Sequence, residues 1–427
     1  MYNKQIETLP LEELRALQNA RLSTLVNRVY QTVPFYKKQF DAHGIHPSDI
    51  KTVEDLPKLP FTKKTDLRDN YPFKMFAKPM DEVIRIHASS GTTGKPTVVG
   101  YSKKDIDVFD EVVARSLVCA GARPGMKLHN AYGYGLFTGG LGMHGGASKL
   151  GMAVIPVSGG MTERQLTILQ DFEPEVICCT PSYAQTLSEE FAKRGIDTKD
   201  LAMKYAVLGA EPWTEAIRSQ VEQGLQVTAT NIYGLSEIIG PGVSQEDYEE
   251  KGSGSYIWED HFFPEVVDKE TGAPLPYGQE GVLVFTTLTK EAFPILRYWT
   301  NDICSIDYDQ NAKRTHIKMS SIKGRSDDML IIRGVNLFHT QVEEVIHQLP
   351  YLSPNYQLIV ERKGTMDTVC VEVETAKGVA VEASHFEQEL KSKIKDTIGL
   401  SMDIVLKEPN SIPRSQGGKL SRIVDKR

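Results

Sequence analysis

The sequence predicts an α/β protein in which helices cover sheets, followed by a smaller α+β domain. Between residues 80 and 320, short apolar runs alternate with helical stretches. Val176–Thr180 and Tyr205–Leu208 have the composition of buried strands, and each is followed by a small or turn residue and then a helix. Gly281–Leu288 is rich in β-branched residues and predicts another strand. At 427 residues the chain is long enough for two to four domains.

The N-terminal region is predicted to be helical. Leucines and valines recur at near-helical spacing, which indicates an amphipathic helix over residues 10–30 that Pro34 ends. Further along, Ser244–Ser255 is acidic and rich in glycine and serine, so we expect a solvated loop there.

The pattern changes after Gly324. Met329–Ile332 predicts a short strand, and Thr340 with Glu343 forms a capping box that opens a helix through Leu349. A hairpin around Lys363-Gly364 and a second helix preceded by the capping pair Ser384 and Glu387 complete a unit of about a hundred residues. We therefore predict a large N-terminal domain over residues 1–326 and a small C-terminal domain over residues 327–427.

Composition and charge exclude several classes of function. Hydrophobic residues make up 40% of the chain and charged residues 25%, which is typical of a globular protein. The net charge of −7 gives no electrostatic basis for binding nucleic acid or an anionic membrane. The five cysteines are sparse, which predicts a cytoplasmic protein. The N-terminus lacks the apolar core of a signal peptide, and no apolar run is long enough to cross a membrane, so we expect no membrane partner.

A segment rich in glycine, serine and threonine is the sharpest local signal. Its backbone N–H groups, hydroxyls and lysine suit the binding of phosphate, and its spacing differs from a Walker A loop. The alternative is an ordinary turn between two strands. The predicted phosphate-binding residues are Ser89, Ser90, Gly91, Thr92, Thr93, Gly94 and Lys95.

The order of motifs along the chain resembles the adenylate-forming superfamily of acyl-CoA synthetases, and more closely its phenylacetate–CoA ligases. The superfamily motifs are the Ser89–Thr97 loop, Tyr233–Glu237, Asp302, Gly324–Asp328 and Lys419. The segments similar to phenylacetate–CoA ligases are Leu59–Thr62, Leu67–Phe73, Tyr132–Gly140, Gly240–Val243 and Trp258–Phe262. The resemblance implies an N-terminal AMP-binding domain, a mobile C-terminal domain and three small-molecule reactants or cofactors: ATP, Mg²⁺ and CoA. It also implies an aryl carboxylic acid as substrate, phenylacetate foremost, and allows a homodimer.

The resemblance also implies roles for residues around the nucleotide. Glu237 would be the catalytic Mg²⁺ ligand, since a hard carboxylate suits a hard cation, whereas the alternative is a surface carboxylate after a turn. Asp302 would hold the ribose hydroxyls, and Arg325 would reach the ribose or phosphate unless it is a surface arginine at the domain boundary. The other implied ATP or AMP contacts are Gly209, Ala210, Glu211, Pro212, Tyr233, Gly234 and Ser236.

Three further roles follow from the resemblance in the C-terminal domain. Lys419 would be the adenylation lysine on a glycine-rich loop, and the alternative is one lysine among several in a basic tail. Asp327 would be the hinge about which the domain swings between half-reactions. Arg333, Gly334 and Val335 would face CoA, although a glycine in a tight turn explains the pattern nearly as well.

Aromatic and branched residues are candidates for an acyl pocket with few polar groups, which suits an aryl ring. The alternative is ordinary core packing. Glycines at 133, 135, 139, 140 and 142 favour a loop near a ligand over a packed helix. The implied pocket residues are Tyr132, Tyr134, Gly135, Phe137, Ile238, Gly240 and Pro241.

Two other functions stay open at this point. The chain could activate an aryl or amino acid and pass it to a carrier protein or an amine, which formation of a thioester with free CoA would distinguish. It could instead be a non-catalytic nucleotide- or acyl-binding regulator. The joint presence of Glu237, Asp302, Arg325 and Lys419 counts against the regulator, because a binding protein has no need for an adenylation lysine.

Overall fold

The computed structural model describes residues 1–89, 96–326, 330–332, 335–363, 366–379, 384–415 and 420–427. Its α-helices are α1 (Lys4–Glu7), α2 (Leu11–Thr32), α3 (Pro34–Ala42), α4 (Lys64–Asp69), α5 (Lys103–Cys119), α6 (Thr138–Leu150), α7 (Thr162–Asp171), α8 (Pro181–Lys193), α9 (Glu215–Leu225), α10 (His339–His347) and α11 (Ser384–Ile398). Across the described residues, no helix combines the length and the apolar character needed to cross a membrane.

Between Lys127 and Leu235, strands alternate with α-helices, whereas the later strands up to Leu337 follow one another with no α-helix among the described residues. The strands are β1 (Arg85–Ser89), β2 (Thr97–Tyr101), β3 (Lys127–Asn130), β4 (Ala153–Ile155), β5 (Val176–Cys179), β6 (Tyr205–Gly209), β7 (Thr228–Leu235), β8 (Gly240–Glu246), β9 (Ser255–Ile257), β10 (Phe262–Val267), β11 (Gly281–Thr287), β12 (Tyr298–Cys304), β13 (Ile306–Asp307), β14 (Lys318–Met319), β15 (Gly324–Arg325), β16 (Leu330–Ile332), β17 (Val335–Leu337), β18 (Leu352–Lys363), β19 (Met366–Thr375), β20 (Asp403–Lys407) and β21 (Ile423–Asp425).

The chain divides into two compact units that are discontinuous in sequence. The first unit contains Met1–Cys179, Leu201–Ala210 and Val227–Ser321, and the second contains Thr180–Asp200, Glu211–Gln226 and Ile322–Arg427. Helices α8 and α9 therefore belong to the same unit as the C-terminal segment. The predicted domain boundary between residues 326 and 327 adjoins residues outside the described ranges and stays a prediction.

The first unit is built on a mixed sheet with the strand order β13-β14-β9-β8-β7-β6-β5-β3-β4. The strands β4, β3, β5, β6 and β7 are parallel, and β8 then pairs antiparallel with β7. Apolar runs such as Val176–Cys179 are buried on both faces, as expected for parallel strands in the middle of an α/β sheet. This confirms the predicted fold class and places the carboxyl ends of β6 and β7 side by side, where ligands bind in such sheets.

Two further sheets complete the first unit. Strands β10, β11 and β12 pair antiparallel in that order, and Phe285 on β11 lies opposite Tyr298 on β12. Strands β1 and β2 form an antiparallel hairpin whose last described pair is Ser89 with Thr97. The hairpin therefore brackets the glycine-rich segment, whose residues 90–95 lie outside the described ranges.

The second unit contains a sheet of order β20-β19-β18-β21, with helices α10 and α11 beside it in the chain. Strands β18 and β19 form the predicted hairpin around residues 363–364, while β20 and β21 each pair parallel with one of them. Its apolar core is centred on Tyr356, Leu358 and Leu390, and the buried members of this core all come from residues 330–406.

Two local predictions concern the ends of helices, and the structure corrects the second of them. The helix predicted over residues 10–30 is confirmed as α2, which ends at Thr32, just before Pro34. That proline is also the first residue of α3, a position where proline needs no N–H donor. Thr340 does not cap α10, because its hydroxyl donates to the Lys323 carbonyl at 2.7 Å. The N-cap is instead Phe338, whose backbone N–H donates to the Gln341 side chain at 3.0 Å.

Two other predictions hold only in part. Within the predicted solvated loop Ser244–Ser255, residues 249 and 251–253 are exposed, whereas Ser244–Asp247 is buried. There Asp247 accepts a hydrogen bond from Arg314 at 2.5 Å. Glycines 139, 140 and 142 lie in helix α6, not in a loop. A side chain at Gly140 would come within 2.5 Å of the Gly133 carbonyl oxygen, so the glycines allow close packing of this helix.

Candidate active site

The phosphate segment is flanked by two buried hydroxyls. Ser89 and Thr97 form the last described pair of the β1–β2 hairpin. The Ser89 Oγ and Thr97 Oγ1 atoms are both buried and have no hydrogen-bond partner among the described residues. Since buried hydroxyls are normally paired, these two atoms indicate a polar ligand at the tip of the hairpin. The residues between them, Ser90 to Lys95, lie outside the described ranges.

Two tyrosine–carboxylate hydrogen bonds join the end of β7 to strand β12. The Tyr233 hydroxyl donates to Asp302 Oδ2 at 2.5 Å, and the Tyr298 hydroxyl donates to Glu237 Oε1 at 3.2 Å. Glu237 and Asp302 are both buried, and the Tyr233 ring lies near the Phe285 ring at 6.3 Å between centroids. The two carboxylates predicted to bind Mg²⁺ and ribose are therefore held by the same pair of sheets.

The carboxyl end of β6 lies beside this pair. Gly209 is opposite Ile232, one residue before Tyr233, and a side chain at Gly209 would come within 2.1 Å of the Ile232 carbonyl oxygen. Ala210 follows with a φ of 76°, in the left-handed region that non-glycine residues seldom adopt. The chain thus turns sharply at the end of β6, as it does at ligand sites in parallel sheets.

The predicted acyl segment begins in a loop and continues into α6. The Tyr134 hydroxyl accepts a hydrogen bond from Asn130 Nδ2 at 2.8 Å and shares one with His144 Nδ1 at 3.2 Å. Burial raises the pKa of Tyr134 to about 12, so its hydroxyl is neutral at physiological pH. Tyr132 is buried, whereas the Phe137 side chain is 50% exposed. Gly135 lies in the same loop, with open space where a side chain would project.

The segment after β7 returns towards the acyl segment. Ser236 Oγ and Thr138 Oγ1 share a hydrogen bond of 3.1 Å, which joins the Tyr233–Glu237 motif to the first residue of α6. Gly240 has a φ of 117°, and Pro241 follows it on β8, whereas Ile238 is fully buried. Gly234 packs so closely that a side chain there would lie 1.9 Å from the Gly240 carbonyl oxygen.

A buried lysine that the motif analysis missed lies near this site. Lys290 Nζ has no hydrogen-bond partner among the described residues and lies 4.8 Å from the centroid of the Tyr101 ring. Burial lowers the pKa of Lys290 to about 7, and the charges of Asp105 and Glu237 oppose that shift. The Tyr101 hydroxyl donates to the Ile239 carbonyl at 2.8 Å, so the lysine is connected through one ring to the segment that carries Glu237.

The second unit contains the other predicted site residues that the structure describes. Glu211 accepts hydrogen bonds from the backbone N–H groups of Ser182 at 2.7 Å and Leu420 at 3.1 Å, and Pro212 follows it. Arg325 is half-buried at the end of β15, and Val335 begins β17. The remaining residues predicted in this unit, Asp327, Arg333, Gly334 and Lys419, lie outside the described ranges.

The described residues of the first unit fit ATP and Mg²⁺. Magnesium is typically held by one or two protein carboxylates together with substrate phosphates, not by a cage of side chains. Glu237 can supply such a carboxylate, and the described residues contain no cluster of three or more histidine, cysteine or acidic side chains that could hold a metal alone. The unpaired hydroxyls of Ser89 and Thr97 supply donors for phosphate oxygens.

Tyr298, Asn130 and Lys290 are the neighbours of the site that sequence reasoning missed. A signal existed for Tyr298, since it lies four residues before Asp302 in the YWTND segment. No signal existed for Asn130 or Lys290, because neither residue belongs to a recognised motif, and the contact of Lys290 with Tyr101 joins residues far apart in the chain.

Comparison with known proteins defines the class. The family profile described as "AMP-binding enzyme" matches residues 7–288, and the profile described as "AMP-binding enzyme C-terminal domain" matches residues 334–427. The chain belongs to the AMP-binding enzyme family. Among solved structures, that of 2-hydroxyisobutyryl-CoA ligase in the postadenylation state with R3-HIB-AMP superposes with a TM-score of 0.93. It is 26% identical, and the match covers 99% of this chain and 92% of that one.

The curated relatives show which enzymes within this family the chain resembles. The phenylacetate–coenzyme A ligase of Thermus thermophilus is 60% identical over 444 residues, with 100% of both chains covered. The phenylacetate–coenzyme A ligase of Escherichia coli is 50% identical, and the match covers 99% of this chain and 97% of that one. The predicted resemblance to phenylacetate–CoA ligases and the predicted fold are thereby confirmed.

Proposed function

We propose that this protein is an AMP-forming phenylacetate–CoA ligase that uses ATP, Mg²⁺ and CoA. The observation that carries the proposal is identity of 48–60% to curated phenylacetate–CoA ligases over essentially the whole chain. The site geometry is consistent with it, since two buried carboxylates at the end of β7 and on β12 are held by tyrosine hydroxyls.

The reaction has two half-reactions. In the first, a phenylacetate oxygen attacks the α-phosphorus of ATP, so that phenylacetyl-adenylate forms and pyrophosphate leaves. In the second, the CoA thiolate attacks the carbonyl carbon of the adenylate, the thioester bond forms and AMP leaves. Both steps need fixed charges and donors around the phosphates and a site that excludes water.

We propose that the nucleotide binds at two buried carboxylates of the first unit, Glu237 and Asp302. Asp302 accepts hydrogen bonds from the ribose hydroxyls, and the bond from Tyr233 fixes the orientation of its carboxylate. Glu237 holds Mg²⁺, which supplies positive charge against the phosphate oxygens when it is bound. The half-buried ring of Tyr233 stacks on the adenine, and Ser236 contacts the phosphate.

We assign the acyl group to the segment from Tyr132 to Phe137 together with Gly240 and Pro241. Aromatic walls and the neutral hydroxyl of Tyr134 suit an uncharged aryl ring. In the second unit, Arg325 contacts the nucleotide, Lys419 stabilises the adenylation transition state, and Val335 with its two preceding residues faces CoA. These assignments are supported by the motif positions.

A panel of acids tests the proposal directly. The protein is incubated with ATP, Mg²⁺, CoA and one of phenylacetate, hydroxyphenylacetates, benzoate, indoleacetate, short fatty acids or amino acids. Acyl-CoA and AMP are followed by mass spectrometry. We expect phenylacetyl-CoA with matching AMP. Pyrophosphate release without any thioester would point instead to transfer onto a carrier protein, and the absence of ATP turnover would refute the ligase.

A homodimer and a cytoplasmic location are part of the same proposal. The resemblance supports the homodimer, and the sparse cysteines of the sequence support the cytoplasmic location. Light scattering of the purified protein tests the first, and fractionation of the source cells tests the second.

A further inference from the structure

A short chain of hydrogen bonds determines which atoms of Tyr134 are free to meet a ligand. Asn130 is the last residue of β3, lies between β5 and β4 in the sheet and is fully buried. Tyr134 follows four residues later, in the loop that the proposed function assigns to the acyl group. His144 lies on helix α6 and contacts Tyr134 edge to face, with 5.9 Å between the ring centroids. All three residues belong to the first unit.

Two backbone groups determine the orientation of the Asn130 amide. Its Nδ2 atom lies 2.8 Å from the Gly140 carbonyl oxygen, which can only accept, and its Oδ1 atom accepts the Tyr132 backbone N–H at 3.3 Å. Exchanging the amide nitrogen and oxygen would therefore oppose acceptor to acceptor and donor to donor. The second N–H group of the amide donates to Tyr134 Oη at 2.8 Å. The Tyr134 oxygen is thus an acceptor towards Asn130.

The hydrogen of the Tyr134 hydroxyl is used by His144. The hydroxyl oxygen and His144 Nδ1 are 3.2 Å apart. Since the Asn130 amide only donates here, Tyr134 donates to Nδ1, and the neutral imidazole then has its hydrogen on Nε2. Burial raises the pKa of Tyr134 to about 12, so the hydroxyl keeps its hydrogen at neutral pH. The hydroxyl therefore accepts once and donates once within the protein, and its hydrogen is already engaged.

The loop around Tyr134 has room for a ligand. At Gly133 and Gly135, no described atom lies within 4 Å of the position that a side chain would take. The Tyr134 backbone N–H donates to Ser158 Oγ at 3.4 Å, so the residue is held at its backbone as well as at its hydroxyl. A tyrosine that is held at both ends beside open space offers a ligand its ring and not the hydrogen of its hydroxyl.

We propose that Asn130 and His144 are positioning residues that make Tyr134 select an aryl acid without a hydroxyl group on its ring. The inference rests on the proposed function, because it assumes that the loop of Tyr134 lines the acyl pocket. A ring hydroxyl buried against Tyr134 finds no hydrogen to accept, and burying a polar group without its partner is unfavourable. A methyl group of similar size has no such requirement and is stabilised by burial.

The first test compares pairs of acids in the unmodified full-length protein. The ortho-, meta- and para-hydroxyphenylacetates are each measured beside the methylphenylacetate substituted at the same ring position, and steady-state formation of acyl-CoA is followed. At the ring position that meets Tyr134, we expect kcat/KM for the hydroxyl compound to be about five- to fiftyfold lower than for the methyl compound. Equal or better use of the hydroxyl compound at all three positions would overturn the inference.

His144→Leu tests whether the hydrogen-bond chain causes this selectivity. Leucine has no acceptor, so the Tyr134 hydrogen becomes free to donate to a ring hydroxyl. We expect the kcat/KM of the hydroxyl compound relative to the methyl compound to rise about three- to tenfold, the effect of one neutral hydrogen bond. A pocket that is merely looser would help both compounds equally. An unchanged ratio would therefore overturn the inference.

Three matched variants separate the chain of hydrogen bonds from other effects. His144→Asn keeps an acceptor on Cγ, where histidine has Nδ1, so its ratio should stay within about twofold of that of the unmodified protein. When Tyr134→Phe is combined with His144→Leu, no hydroxyl remains to donate, and a gain that persists would overturn the inference. His43→Leu is the control for loss of a histidine, because His43 is exposed and its Nδ1 contacts the Gln39 carbonyl at 2.8 Å.

Failure of the inference differs from failure of the proposed function. An unmodified protein that forms no acyl-CoA from any of these acids would refute the ligase, and the inference with it. Formation of phenylacetyl-CoA together with unchanged ratios would overturn only the positioning roles of Asn130 and His144. Circular dichroism checks that each variant is folded. If His144→Leu is not, the paired acids in the unmodified protein still decide the inference.

Discussion

The buried ammonium of Lys290 should cost the protein stability at neutral and acidic pH. The side chain is 2% exposed, and Nζ lies 4.8 Å from the Tyr101 ring centroid and 5.1 Å from that of Phe293. Burial lowers its pKa from 10.5 to about 7. A shift of that size corresponds to roughly 5 kcal/mol, at 1.36 kcal/mol for each pKa unit.

The sign of the pH dependence follows from proton binding. Between pH 7 and 10.5 the unfolded chain keeps the lysine proton that the folded protein has lost, so stability rises with pH across this window. Below about pH 7, the lysine is protonated in both the folded and the unfolded state, so the full free-energy cost of burying its charge is present. Each aromatic ring attracts the ammonium by about 0.5–2 kcal/mol, which leaves a net cost of roughly 1–4 kcal/mol.

Lys290→Met removes the charge and keeps the length of the side chain. We expect the variant to unfold at a temperature higher by roughly 2–10 °C at about pH 6, and the gain to shrink as the pH approaches about 10. Differential scanning calorimetry across this pH range measures both effects. Lys104→Met is the control, because the Lys104 side chain is 68% exposed. A gain that does not change with pH, or a loss of stability at every pH, would refute the reasoning.

Three other substitutions test separate parts of the molecule. Lys419→Ala should reduce pyrophosphate exchange about a hundred- to thousandfold while thioester formation from synthetic adenylate persists, and equal losses would contradict its role. Tyr233→Phe removes the donor to the carboxylate on β12 and should raise the KM for ATP about three- to tenfold in steady-state assays, whereas an unchanged KM would exclude this ordering role. Arg314→Met leaves the buried carboxylates of Glu7 and Asp247 without their cation, so calorimetry should show a loss of about 3–5 kcal/mol; a change below about 0.5 kcal/mol would contradict it.

Local sequence signals predicted strands in two sheets of the first unit well. Strands β5, β6 and β11 are continuous apolar or β-branched runs bounded by turn residues, and such runs are stable as buried strands wherever they occur. The motifs also selected Tyr233, Glu237 and Asp302, which the structure brings together where the end of β7 meets strand β12.

What could not be predicted depends on partners far away in the chain. The acidic segment from Ser244 to Asp247 has the composition of a loop, but Arg314, 67 residues further on, compensates the charge of Asp247. The glycines of α6 disfavour a helix locally, and tertiary packing against Gly133 and Phe109 outweighs that preference. The pairing of Tyr298 with Glu237 likewise joins residues 61 positions apart.

The apolar core of the second unit determines how the protein can be divided into fragments. Because the buried members of that core among the described residues all come from residues 330–406, the C-terminal segment has an apolar core of its own, and we expect it to fold without α8 and α9. It would lose polar contacts to the rest of the unit: Glu343, for example, would no longer accept the Thr214 hydroxyl at 2.9 Å. We therefore expect a fragment that begins near residue 322 to be expressible on its own. Its separation from α8 and α9 would expose hydrogen-bonding groups, and water can satisfy them.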